Sequence, residues 1–325
     1  MVAGTVIVVD QTVENVFIAY VATHFVKRLC GSAGMEHAIL GAGAVGGLVG
    51  TALASFGEGV TVVVRPERLP GYPATLSVER PTGTITAPAK VAATLPNPVD
   101  VLWIATKTYQ LTTALEAVQS MPRYVVPLLN GVDHVELLRA RFDNDRVLPA
   151  TIAVEAEKIA PGRFVQRSPF VNLNLVGSGE QVLGAIVARL GDLQFTCRFI
   201  ENEQTLLWSK LCFLGPLALV TSASGMNKGE VYEDAEWKCK LISSMTEACA
   251  VAKASGAEVE PVQIQAIYDG LLSGIRSSMQ KDLAARRQLE LDAIGGPIVR
   301  GGERYGIDVS TTTALIGVIR AKAAE

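Results

Sequence analysis

A doubly wound, parallel α/β sheet followed by an all-α segment is the fold class this sequence predicts, and three observations predict it. A glycine turn, Gly41 to Gly47 (GAGAVGG), separates the apolar run 37–40 from residues 45–56, which are rich in Ala, Leu and Val with a helix-like apolar face. From residue 35 to about 200, strand-like and helix-like patterns alternate, as expected of a parallel sheet covered on both faces. After Glu201 no convincing strand pattern follows. Apolar-periodic segments at 204–222, 230–255, 261–272, 289–305 and 311–322 predict helices instead. The expected organisation is an N-terminal extension (1–34), a Rossmann-like dinucleotide-binding domain (35–200) and a helical domain (201–325).

The first strand, 37–40, runs into the turn. Gly41, Gly43 and Gly46 fit the G-x-G-x-x-G spacing, in which the first turns the chain, the second lets a pyrophosphate approach the backbone and the third allows close helix packing. The helix that follows offers unpaired N–H groups and a positive dipole end. Gly41, Ala42, Gly43, Ala44, Val45 and Gly46 are therefore the candidate phosphate cradle. The second strand, 60–64, ends at Arg65, where such folds meet the adenosine ribose. Asp or Glu there would accept from the 2′-hydroxyl, whereas Arg65, with Arg68 close behind, suits a 2′-phosphate, so NADP(H) is the expected cofactor. Glu67 speaks for the alternative, a solvated surface arginine. Residues 99–105 form a buried strand that sets Lys107 at its carboxyl end, and 124–129 form another that ends at Asn130-Gly131. Residues 147–154 are expected to continue the sheet, followed by a hairpin at Pro161-Gly162, a helix at 181–190 and a last strand at 194–200.

The extension admits two readings. Met35 could begin the functional chain, or residues 5–10 and 13–30 could add a strand and a helix that stops at Gly31. Its composition does not match a secretory signal. A net charge of −3 with 19% charged residues argues against a nucleic-acid partner. The longest apolar stretches, 16–26 and 211–220, fall short of the roughly 20 residues a bilayer requires, so no membrane span is expected. Five cysteines without a C-x-x-C pair fit reduced thiols in a cytoplasmic protein. His24, His37 and His134 have no metal-ligand spacing, so neither a metal nor a histidine acid is expected.

Hydride reduction of a ketone leaves negative charge on oxygen, and without histidine the proton must come from elsewhere. Desolvation lowers an ammonium's pKa toward neutrality and makes it a usable acid. Lys107 at a strand end and Lys210 in the apolar run LLWSKLCFLGPLALV are the two candidates. The plain alternatives are a solvated loop lysine and a snorkelling helix lysine. Asn130 could clamp nicotinamide or substrate, or simply make a turn.

Taken in order, GAGAVGG, the strand ending in Arg65, ATKTYQ with Lys107, LLNGV with Asn130, WSKL with Lys210, and SSMQKD followed by Glu290 and Asp292 make the chain resemble the ketopantoate reductase (2-dehydropantoate 2-reductase) family over about residues 35–322. The resemblance implies NADPH-dependent reduction of ketopantoate to pantoate. It makes Lys210 the general acid, Glu290 the carboxylate that holds the substrate hydroxyl, Ser278 a substrate ligand, Asn130 and Lys107 pocket residues, and Arg65 a 2′-phosphate ligand. Plainer roles remain: Ser277 with Gln280 as a capping box, Glu290 and Asp292 as a solvated helix face. A straight helix from Ser278 to Glu290 would hold them about 18 Å apart, so the chain must bend across 284–288 if both serve one substrate. The family's asparagines four and eight positions after the lysine are replaced here by Leu214 and Ala218, and Gly295 stands where asparagine is common. Two alternatives to ketopantoate therefore stay open: reduction of a different, more apolar 2-oxo acid or ketone, and a redox sensor that binds NADP(H) without turnover. A small-molecule 2-oxo acid is the expected partner, with pairing of two copies of the chain as a possibility.

Overall fold

The computed structural model describes residues 34–324, so both readings of the extension, with its strand at 5–10 and helix at 13–30, fall on residues outside those described. The chain then runs β1 (Glu36–Leu40), α1 (Ala44–Ser55) and β2 (Gly59–Val63), the strand–turn–helix–strand unit expected from the glycine spacing. β3 (Thr75–Arg80) and β4 (Gly83–Pro88) form a hairpin away from that sheet before β5 (Lys90–Ala92), β6 (Val101–Ile104), α2 (Leu111–Leu115) and β7 (Tyr124–Pro127) rejoin it. The result is an all-parallel sheet in the order β5-β2-β1-β6-β7. Its order reverses between β1 and β6, whose carboxyl ends open the crevice where such folds bind ligands. Every residue of β6 is buried, as a strand covered on both faces requires.

α3 (His134–Phe142) leads to β8 (Ala150–Ala153), and here the structure corrects the expectation for 147–154. Val147 and Leu148 join the parallel sheet through a bridge to Val125 and a Leu148 N–H bond to its carbonyl. β8 itself pairs antiparallel with β11 (Val171–Val176) in a separate three-stranded sheet. Between them, β9 (Ala156–Ala160) and β10 (Arg163–Gln166) form the expected hairpin around Gly162, which has φ +70°. β10 also pairs parallel with β3, and the resulting sheet β4-β3-β10-β9 lies against α1. Gly47 makes that contact possible, because a Cβ there would sit 2.2 Å from the Phe164 ring. α4 (Glu180–Asp192) and β12 (Phe195–Ile200), parallel to β11, complete this half.

α5 (Glu203–Ser224) begins the helical half. Asn202 caps it by accepting from the Thr205 N–H at 2.9 Å, and Gly225, at φ 84°, ends it. Its apolar stretch outruns the 211–220 segment. Among the described residues it is the one helix long and apolar enough to cross a bilayer, yet 78% of its apolar window is buried inside the protein. Pro216 cannot donate to the Cys212 carbonyl, and the Tyr268 hydroxyl donates to the neighbouring Phe213 carbonyl at 2.8 Å.

The single helical segment expected at 230–255 is two helices, α6 (Lys228–Glu233) and α7 (Ala235–Ala254). The Asp234 carboxylate accepts from the N–H groups of Glu236 and Trp237 and starts a new helix there. α8 (Pro261–Gly270) follows, then α9 (Ser278–Ala284), α10 (Leu291–Tyr305) and α11 (Ser310–Ala324). α9 stops at Ala284, Arg286 takes φ 51°, and α10 begins only at Leu291, so the chain unwinds between Ser278 and Glu290, where a shared site requires it.

Candidate active site

The three motif glycines have three different reasons. Gly41 sits at φ +107°, and a Cβ on it would lie 2.7 Å from the backbone of Ala105 and Thr106. A Cβ on Gly46 would lie 2.2 Å from the Gly41 carbonyl, so only glycine lets α1 pack on the turn. Gly43 differs: among the described residues a Cβ there meets no atom within 4 Å. That open space lies at the N-terminus of α1, whose first turn carries neither a side-chain cap nor an acid. An open cradle beneath unpaired N–H groups fits the pyrophosphate of a dinucleotide. Arg65 lies two residues past β2, its side chain 60% exposed and its guanidinium 3.9 Å from Glu67.

Directly after the Ala105–Thr106 segment that Gly41 abuts, Lys107 leaves the sheet and meets a carboxylate from the helical half. Its ammonium lies 2.9 Å from Glu290 and 3.1 Å from Asp282. Glu290 is buried just before α10, and four donors converge on it. Lys107 and the Asn130 amide (3.2 Å) donate to Oε2; the Thr108 N–H (3.2 Å) and Thr108 hydroxyl (3.3 Å) donate to Oε1. Asp282 is held in turn by Arg287 at 2.7 Å. Gly131, at φ +85°, lies so close to α10 that a Cβ on it would be 2.3 Å from the Ala293 carbonyl. That carbonyl has no N–H to accept from within the helix, because the residue four on is Pro297.

The two lysines that the sequence left equivalent differ in charge. Burial pulls the pKa of Lys107 down, but the charge and hydrogen bonds of Glu290 and Asp282 outweigh it and leave the pKa raised. Burial brings Lys210 down to about 8, with only the Glu290 charge opposing. Among the described residues Lys210 makes no hydrogen bond or ion pair. Lys107 is thus locked as a cation, and Lys210 is the ammonium able to release a proton near neutrality.

Lys210 is positioned by α3. Arg139 grips Glu203 in α5 through bonds of 2.8 and 2.6 Å, and Val135 and Leu138 pack with Leu207. The two helices therefore bring His134 toward Lys210. Burial, and then the charge of Lys210, lower the pKa of His134 to about 4, so it is a neutral imidazole.

Of the residues read from the sequence, Lys107, Asn130 and Glu290 are in direct contact, and Lys210 lies within the field of Glu290. Ser278 is exposed at the start of α9, one turn before Asp282 and on its face. Its neighbour Ser277 is the buried one: it accepts from the Gln280 N–H at 3.1 Å and bonds Thr221 at 2.9 Å. The capping box is half made, since the Gln280 amide turns instead to the carbonyls of Gly225 and Met226. Glu290 is no solvated helix face. Sequence reasoning missed Thr108 and Arg287, although ATKTYQ placed the first beside Lys107, and it gave His134 no role. Leu214 is half-buried, Ala218 is buried, and a Cβ on Gly295 would lie 2.7 Å from the end of the Ile316 side chain, which would have to shift to admit any larger residue.

Comparison with known proteins follows the same two halves. The profile described as ketopantoate reductase PanE/ApbA matches residues 37–175, and that of its C-terminal part matches 202–323. The 2-dehydropantoate 2-reductase of Caulobacter vibrioides is 32% identical over 300 residues, covering 88% of this chain and 98% of that protein. Among solved structures, 2-dehydropantoate 2-reductase from Geobacter metallireducens superposes with a TM-score of 0.80 at 20% identity, covering 88% of this chain and 99% of that one. D-mandelate dehydrogenase with NADH and anilino(oxo)acetate superposes with a TM-score of 0.79 at 22% identity, covering 89% and 99%. These two likenesses show the common fold.

Proposed function

The chain belongs to the ketopantoate reductase family and is an oxidoreductase of that type, and from this premise we propose that it reduces a 2-oxo acid, ketopantoate first, to the 2-hydroxy acid with NADPH and with Lys210 as proton donor. The observation that carries the reading is the contrast between its two lysines, one locked to Glu290 and Asp282, the other unpaired among the described residues with a pKa lowered by burial to about 8. The glycine cradle and Arg65 would hold the cofactor, with Lys107 and Asn130 beside its nicotinamide. When bound, reduced nicotinamide supplies a hydride to the substrate's carbonyl carbon. Lys210 gives its proton to the oxygen that becomes negative, and a neutral amine remains in a setting that already disfavours the charged form. Glu290 accepts from the hydroxyl that ketopantoate already carries, while Lys107, Thr108 and Asn130 keep the carboxylate in place. Ser278 would reach substrate from the start of α9.

A second reading concerns the substrate. Leu214 and Ala218 share the face of Lys210, and an apolar wall there favours a 2-oxo acid with an apolar side chain over one with a hydroxyl to satisfy. NADPH oxidation measured against a panel of 2-oxo acids tests both. Ketopantoate turnover that Lys210→Ala abolishes supports the first; turnover confined to apolar 2-oxo acids supports the second. Tight NADPH binding without turnover of any 2-oxo acid would sink both and leave a sensor.

A further inference from the structure

The second sheet brings a cation to the glycine turn. Lys158, in the middle of β9, pairs across the hairpin with Phe164, so both side chains leave the sheet on the face that meets α1. Its ammonium donates to the Ala42 carbonyl at 2.8 Å and lies 5.4 Å from the centroid of the buried Tyr72 ring. One of its three N–H donors is thereby used. Among the described residues no carboxylate pairs with it: Glu157 binds Arg167 and Glu155 binds Lys281.

Its nearest charged influence is another cation. After burial, the charge of Arg68, on the turn that follows β2, is what lowers the Lys158 pKa, and Arg68 acts on Tyr72 as well. Arg68 has no ion-pair partner among the described residues. Like charges that act on each other without a counter-charge repel, and that repulsion is relieved when an anion binds beside them. The site lies between the turn at Ala42 and the end of β2, the end that meets the adenosine ribose in this fold.

We propose that Lys158, with Arg68, binds the 2′-phosphate of the cofactor, so that selection of NADP(H) rests on the second sheet as well as on Arg65. The inference rests on the NADPH reading above and deepens it. The bond to Ala42 and the contact with Tyr72 fix the ammonium before the ligand arrives, which removes part of the ordering cost of binding.

The test is titration of the full chain with NADPH, NADH and 2′,5′-ADP, comparing wild type with Lys158→Met, which keeps the apolar stem over Tyr72 and removes the charge. The dissociation constants for NADPH and 2′,5′-ADP are expected to rise about 10- to 100-fold, the loss typical of a charge-assisted hydrogen bond, with NADH changed less than about threefold. Retained NADH binding also shows that the variant is folded. NADPH binding unchanged in Lys158→Met while Arg65→Ala weakens it would overturn the role of Lys158 and leave the NADPH reading standing. Equal weakening of NADPH and NADH would place Lys158 on the shared pyrophosphate and overturn the proposal. Wild type that binds NADH more tightly than NADPH would overturn the NADPH reading, and this inference with it.

Discussion

Replacing Glu290 by glutamine changes one atom and tests the whole site. In the wild type both carboxylate oxygens accept: Oε2 from Lys107 and Asn130, Oε1 from the Thr108 N–H and hydroxyl. Glutamine offers one accepting oxygen, and its NH2 must face donors whichever way it turns. If it faces Thr108, the hydroxyl can rotate to accept but the N–H loses its partner, a cost of about 1–3 kcal/mol for a buried donor. Melting should therefore fall by several degrees, at roughly 2–4 °C per kcal/mol for a chain of this size. Substrate loses a charged acceptor worth about 1.5–3 kcal/mol, so kcat/KM should fall about 10- to 150-fold. The pH profile carries the sharper signal. Glu290 holds the Lys210 pKa up, so without it the proton donor is lost at lower pH, and the descending limb expected near 8 should move down. A limb that stays in place, with kcat/KM within about threefold of wild type, would refute the linkage between these two groups.

Other outcomes follow from the same geometry. Lys210 has a folded pKa of about 8 against an ordinary 10.5, so the unfolded chain binds more protons between those values and burial of Lys210 costs stability below pH 8. Lys210→Met should melt higher than wild type at pH 7, with the gain shrinking toward pH 10, while turnover falls by about 10²-fold or more; equal melting at pH 7 would show that the ammonium is not desolvated. Gly43→Ala should fold as wild type does and lose more than about tenfold in cofactor affinity, whereas Gly46→Ala, 2.2 Å from the Gly41 carbonyl, should be strongly destabilised by calorimetry. Equal stability of the two would argue against the separate roles given to these glycines. Leu214→Asn should raise kcat/KM for ketopantoate relative to apolar 2-oxo acids by about tenfold, and no change in that ratio would remove Leu214 from the substrate wall.

Most of the parallel sheet was legible because β1, β2 and β6 are apolar runs of strand length bounded by glycine or charge, and local signals of that kind survive in a single sequence. The β3–β4 hairpin and β11 were passed over. VNLNLV alternates buried with exposed or half-buried positions along β11, and Gly83 marks the hairpin at φ +122°, so both carried period-two or turn signals weaker than their neighbours'. Site residues at strand ends, Lys107 and Asn130, followed from topology. What could not be read locally was the convergence of Lys107, Asp282 and Glu290, which are separated by 175 and 183 positions and meet only through tertiary folding. The difference between the lysines was hidden for the same reason, since it depends on which ammonium finds a carboxylate.

The seat of Gly131 on the Ala293 carbonyl works as a doorstop between the halves. Ala293 is three residues past Glu290, and Gly131 directly follows Asn130, so at that point the loop after β7 and the first turn of α10 already touch backbone to backbone. The two backbones can come no closer at this spot, so the spacing of the halves beside Glu290 is bounded there by direct contact. A methyl group at position 131 would push the halves apart there and lift Asn130 from its carboxylate, detuning the enzyme without touching a reacting atom.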